Sequence, residues 1–179
     1  MDIETIIQLT DTPIKIATGA LIAVVSAWIV QRRATQNNSQ TSFRELRRLE
    51  ILEDVSAQVG TVSHVFAKYS SLISESIQFS ERWPQARRQE LDAVNNELVD
   101  EFKKLAESEA KLLMLGEKGL ERALRLYGAK IAIYRKQVYV GRQDITPEQI
   151  TALKSAITQV REQFYDMLSR KYDRLLTSA

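Results

Sequence analysis

Hydrophobic and polar positions follow two different rhythms along this chain. From Ile14 to Val30 the residues are apolar or small, apart from one charge, Lys15, near the outer end; Arg32 and Arg33 follow at once. Beyond residue 41 apolar side chains recur every three or four positions instead.

The first rhythm predicts a transmembrane helix over 13–33. At about 1.5 Å per residue, Pro13 to Val30 spans roughly 27 Å, close to a hydrocarbon core of about 30 Å. Thr12 and Pro13 supply an N-cap and a proline at the first helical position. Trp28 falls near the far interface, where indole is favoured. A secretory signal fits less well. Residues 1–12 carry Asp2, Glu4 and Asp11 and no Lys or Arg, and the run ends in Trp-Ile-Val-Gln-Arg-Arg, a poor cleavage site. A buried core helix of this length is the other alternative.

Flanking cations set the expected orientation. Arg32, Arg33, Arg44, Arg47 and Arg48 follow the span, against Lys15 at its start. The positive-inside bias then puts a short extracytoplasmic N-terminus (1–12) outside an inner membrane and the rest of this single-pass chain in the cytoplasm. The same arginines can touch anionic lipid head groups, although setting topology is role enough. Within the span, Gly19, Ala23 and Ala27 recur every four residues, spacing that lets two membrane helices approach closely. Ordinary membrane-helix composition explains them equally well.

Residues 34–41 form a polar linker. Ser42-Phe-Arg-Glu45 matches a capping box, so a long helix is expected from there. Its seam is Leu52, Val55, Val59, Val62, Phe66, Tyr69 and Ile73, alternating threes and fours as a heptad does. Pro84 ends that helix and opens the next at its first position, with Leu91, Val94, Leu98, Phe102, Leu105, Leu112 and Leu115 on one face and Gly116 as C-cap. A third helix is expected from about Glu117 to Arg142, with core residues Leu120, Leu124, Tyr127, Ile131, Tyr134 and Val138. Thr146-Pro-Glu-Gln149 is a second capping box. It starts a last helix lined by Ile150, Leu153, Ile157, Val160, Phe164, Met167, Tyr172 and Leu175. Four amphipathic helices with short connections predict an all-α antiparallel four-helix bundle over 42–179.

Composition narrows the chemistry. The chain has 179 residues, 44% hydrophobic and 27% charged, a single histidine and no cysteine. Disulfides, thiolate nucleophiles and cysteine metal sites are excluded. A bundle di-iron centre needs Glu-x-x-His pairs, but the only histidine, His64, has threonine at position 61 and lies opposite the seam. Ser-His-Asp catalysis fails with it, and no Gly-rich phosphate loop occurs. No metal, no cofactor and no catalytic residue is expected, and the protein does not read as an enzyme.

The most basic stretch, 118–142, carries seven cations against one acid, Glu121, and three tyrosines. Lys118, Arg122, Arg125 and Lys136 would be its ligand- or nucleic-acid-binding residues. They lie opposite the core stripe, so a solvated face is the plainer reading and nucleic acid is disfavoured. The same helix has a second apolar line, Leu126, Ile133 and Val140, at heptad spacing. A helix apolar on two sides needs cover on two sides: a central place in its bundle, or a second subunit. On the long helix, Ala57, Gly60 and Thr61 leave a small-residue strip off the seam, either a close helix contact or bare surface.

The expected protein is therefore a membrane-anchored bundle acting by protein contact as a scaffold, sensor or regulatory subunit. Its partners would be the lipid bilayer, further copies of itself, and a protein whose identity the sequence does not give. The alternatives are a membrane-perturbing effector that oligomerises through its span, and a binding module built on the basic helix.

Overall fold

The structure, a computed structural model, describes residues 43–142 and 144–178. The expected N-terminus (1–12), transmembrane helix (13–33), linker (34–41) and capping residue Ser42 lie outside them, as do Gly19, Ala23, Ala27, Arg32 and Arg33. Contacts divide the chain into two units, Met1–Leu46 and Arg47–Ala179. The hydrophobic core lies in the second. Among the described residues there is no strand, and no helix is long and apolar enough to cross a membrane.

Four long helices make up the described chain: α1 (43–79), α2 (Gln85–Met114), α3 (Lys118–Gln137) and α4 (Pro147–Ser178), with a 3₁₀ turn, Ser80–Arg82, after α1. The α1 seam is buried throughout, with Val55, Val59 and Val62 fully enclosed. Cross-helix bonds give the topology. Gln58 Nε2 donates to Glu101 Oε2 at 2.6 Å, and Arg87 reaches back to Glu75 at 2.5 Å, so α1 and α2 are antiparallel. Arg135 donates to Asn95 at 2.6 Å between α2 and α3. Lys171 pairs with Glu117 at 2.6 Å where α4 ends beside the start of α3. Tyr172 donates to Glu53 at 2.7 Å and Lys154 to Ser74 at 3.2 Å, so α4 closes antiparallel on α1. Across the diagonal α1 and α3 run parallel, with Phe66 edge-on to Tyr134, ring centroids 5.1 Å apart. This is an up-down-up-down bundle.

The helix ends follow local chemistry. Gly116, at φ 77°, closes α2 in a Schellman motif: its N–H donates to the Leu113 carbonyl, and Glu117 N–H to that of Leu112, both at 2.9 Å. The second capping box forms reciprocally, Thr146 N–H to Gln149 Oε1 at 3.0 Å and Gln149 N–H to Thr146 Oγ1 at 3.3 Å. Ile145 and Ile150 flank it, both buried, in the positions of a hydrophobic staple.

Three expectations need correction. Pro84 is the extended N-cap of α2, not its first helical residue. The inner face of α4 turns slightly: Leu168 is buried and Met167 only partly so. The third helix stops at Gln137, not Arg142. Val138 takes an extended backbone, φ −117° and ψ 103°, with its side chain fully buried. The β-branched side chain of Val138 favours that conformation. Gly141, at φ 85°, turns the chain, and the Arg142 guanidinium donates to the freed Gln137 carbonyl. Val140 therefore belongs to the α3–α4 connection.

Candidate functional site

The second apolar line of α3 is open. Leu126 and Ile133 keep 46% and 43% of their surface exposed, and Val140, in the connection, 50%. The bundle core does not cover them, so that face has no central position among the described residues. Leu126 and Ile133 are two turns apart on α3, about 10 Å along its axis.

The cations of 118–142 do not converge. Lys118, Arg122, Arg125 and Lys136 are all exposed. Arg125 pairs with Glu121, which is 3% exposed, so its charge answers a carboxylate on its own helix. Arg135 lies over the Tyr69 ring at 5.8 Å, and Arg142 pairs with Asp144 at 2.9 Å. Arg44 and Arg48 are exposed, and Arg47 pairs with Glu50 at 2.6 Å. His64 is exposed, as its place on the wheel requires. Among the described residues no cluster of three His, Asp or Glu side chains could hold a metal ion.

The small-residue strip of α1 faces α4. A Cβ built on Gly60 would meet Tyr165 Oη at 3.9 Å, an ordinary contact distance. The strip thus leaves space rather than permitting tight packing. It continues through Ser63, Ala67, Ser70 and Ser74, and α4 lays Tyr165, Arg161, Thr158 and Lys154 along it. Open cavities of ≈ 540 Å³, beside Glu53 and Tyr172, and ≈ 410 Å³, beside Gly60, lie along this groove. Farther along lie a narrower one of ≈ 180 Å³, against Phe66 and Ile157, and one of ≈ 590 Å³, between Ile77 and Ile150.

Hydrogen bonds fix the groove's polarity. Ser63 Oγ donates to the Val59 carbonyl at 2.7 Å, so in its 2.8 Å contact with Tyr127 the phenol is the donor. Ser70 and Ser74 donate to the Ala67 and Ser70 carbonyls on their own helix. These serines can then only accept. Lys154 Nζ donates to Ser74 Oγ, and burial holds its pKa below the usual lysine range. Arg161 forms no ion pair or hydrogen bond among the described residues; its charge acts on the Tyr127 and Tyr165 phenols, opposing the rise that burial causes in each. Tyr134 Oη, fully buried on α3, finds no partner with hydrogen-bond geometry, and burial pushes it up to about 12 against the influence of Ser74.

Sequence reading passed over Lys154 and Arg161. The available signal was two cations seven apart on one flank of the α4 stripe, but only the packing of that flank against the small-residue strip joins them. Glu101 and Glu121 were also missed as buried residues; each lies beside an apolar stripe and has a cation three or four positions along, Lys104 and Arg125.

No family model, curated protein or solved structure matches the chain.

Proposed function

We propose that this protein is a membrane-anchored helical bundle, without catalysis, whose cytoplasmic part works by contact with other proteins, first with a second copy of itself. The observation that carries the reading is the half-exposed pair Leu126 and Ile133 on a helix whose opposite side already supplies the bundle core. The anchor rests on the apolar run 14–30 and the arginines after it.

The two parts of the reading support each other energetically. Burying a Leu or Ile fully is worth about 1.5–3 kcal/mol, and roughly half of that is still available at each of the two positions. Covering both on two subunits gains about 4 kcal/mol, a dissociation constant near millimolar before the costs of association. In free solution such a contact is sparsely populated. Confinement to one membrane raises the local concentration of partners as a linker does, into the range where a millimolar contact forms.

The test is cross-linking of the full chain in isolated bacterial membranes, comparing wild type with Ile133→Glu. The expected result is a cross-linked dimer for wild type and monomer for the variant, with unchanged helical circular dichroism because the carboxylate reaches water. A folded Ile133→Glu protein that cross-links like wild type overturns the contact. Recovery of the wild-type chain in the soluble fraction overturns the anchor.

A further inference from the structure

The α1–α4 groove combines features that packing alone does not require. Lys154 and Arg161 stand two turns apart on one face of α4, and neither has a carboxylate partner among the described residues. Cations drawn into partly buried positions ordinarily acquire one, because desolvation disfavours the unpaired charge. Here the α1 wall offers serine hydroxyls whose protons are already given to their own helix, and only Ser74 accepts from Lys154. The remaining ammonium and guanidinium N–H groups have no protein acceptor among the described residues. Glu162 and Asp166 line the neighbouring cavity with Arg161 but form no ion pair with it.

The space around these donors is shaped in two parts. The ≈ 180 Å³ cavity lies between the two cations, floored by Phe66 and Ile157, with Thr158 and Tyr127 at its sides. It is large enough for a carboxylate or phosphate group, not for a drug-sized molecule. Lys154 also lines the ≈ 590 Å³ cavity, whose walls combine Ile77, Ile145, Pro147 and Ile150 with Ser74, Gln78 and Thr151. That volume is within the range of small-molecule sites. One lysine thus stands at the junction of a cationic chamber and a larger one with apolar and polar walls.

We propose that this groove binds an amphipathic anion: a carboxylate or phosphate head held between Lys154 and Arg161, with an aliphatic tail lying along Ile77, Ile145 and Ile150. The head supplies the anionic partner that both cations lack among the described residues. The tail lies against the half-buried Ile77 and the outer edges of Ile145 and Ile150, each 8% exposed. The site is separate from the contact face on α3 and stands or falls independently of it.

Octanoate and octyl phosphate are the probes, with octanol lacking the charge and inorganic phosphate lacking the tail. The full chain is held in discs of zwitterionic lipid, and binding is followed by titration calorimetry. Both amphiphiles should bind, and Lys154→Met or Arg161→Gln should weaken them by about tenfold or more, as expected for loss of a charge-assisted contact. Lys154→Arg should retain most of the affinity. A second measurement needs no variant: acylation of Lys154 by an amine-reactive reagent, read by mass spectrometry, should slow with octanoate and not with octanol. Adding phosphatidylglycerol to the discs distinguishes sources. Protection by that lipid alone assigns the head to the bilayer; protection only by octanoate assigns it to a free amphiphile. Octanol binding as well as octanoate, inorganic phosphate binding as well as octyl phosphate, or Lys154 acylation unchanged by every anion would each overturn the proposal.

Discussion

Phe66→Ala probes the centre of the bundle. Phe66 is 7% exposed, sits mid-seam on α1, and meets Tyr134 edge-on across the α1–α3 diagonal at 5.1 Å. Truncating a buried phenylalanine costs about 3–5 kcal/mol through lost transfer energy and the cavity left behind. Losing the edge-to-face pair adds about 0.5–1.5 kcal/mol. One feature works the other way: Phe66 already borders the ≈ 180 Å³ chamber, so the new space merges with an existing polar cavity that water can enter. The expected net loss is therefore near the low end, about 3 kcal/mol. For a domain of this size that corresponds to a fall in Tm of roughly 6–12 °C. Urea unfolding of the full chain in mild detergent, followed by circular dichroism, gives the free energy, and thermal melts give the shift. His64→Ala, on the exposed side of the same helix, should stay within about 0.5 kcal/mol. Equal losses for the two variants would refute the assignment of the buried face.

Glu101 gives a pH-dependent test. Lys104 first, then Gln58, hold its carboxyl below the ordinary value, against burial. A depressed folded pKa contributes stability above the unfolded carboxylate range that is lost as pH falls through the folded value. The wild-type advantage in Tm over Glu101→Gln should therefore shrink on acidification below the model-compound value of 4.5; a constant gap from neutral pH to pH about 3 would exclude the coupling. Gly116→Ala places a Cβ at φ 77° where nothing crowds it, so its cost is backbone strain alone, about 1–2 kcal/mol in chemical unfolding; an unchanged midpoint would show that the Schellman turn does not restrain the α2–α3 corner.

What was legible in the sequence was the part that repeats. The α1 seam from Leu52 to Ile73 could be read because each residue meets the core by the same turn of the helix, and the capping box at Thr146 because its partners are three residues apart. The end of α3 was not legible: Leu120 to Val138 keeps helical spacing to its last member, and it is the pull of Val138 into the core from an extended backbone that ends the helix. Glu101 escaped notice because one of its partners, Gln58, comes from another helix. The groove was least visible. Gly60, Ser63 and Ser74 look like idle surface until α4 lies opposite, and nothing local says which helix will.

The closure of α4 on α1 also bears on the order in which the bundle assembles. Hydrogen bonds and ion pairs between α1 and α2 join residues 12 to 57 positions apart, whereas those between α1 and α4 join residues 80 to 119 apart. For an open chain, going from the shortest to the longest of these loops adds about 2 kcal/mol of closure entropy. Each preceding hairpin shortens the effective loop, so the economical route runs α1 to α2 to α3, and α4 completes the ring. On that route the last joint made is the one between the small residues of α1 and the long side chains of α4, where open cavities remain. A molecule held between those two walls acts on the ring-closing step, and so couples its own concentration to the cohesion of the whole bundle.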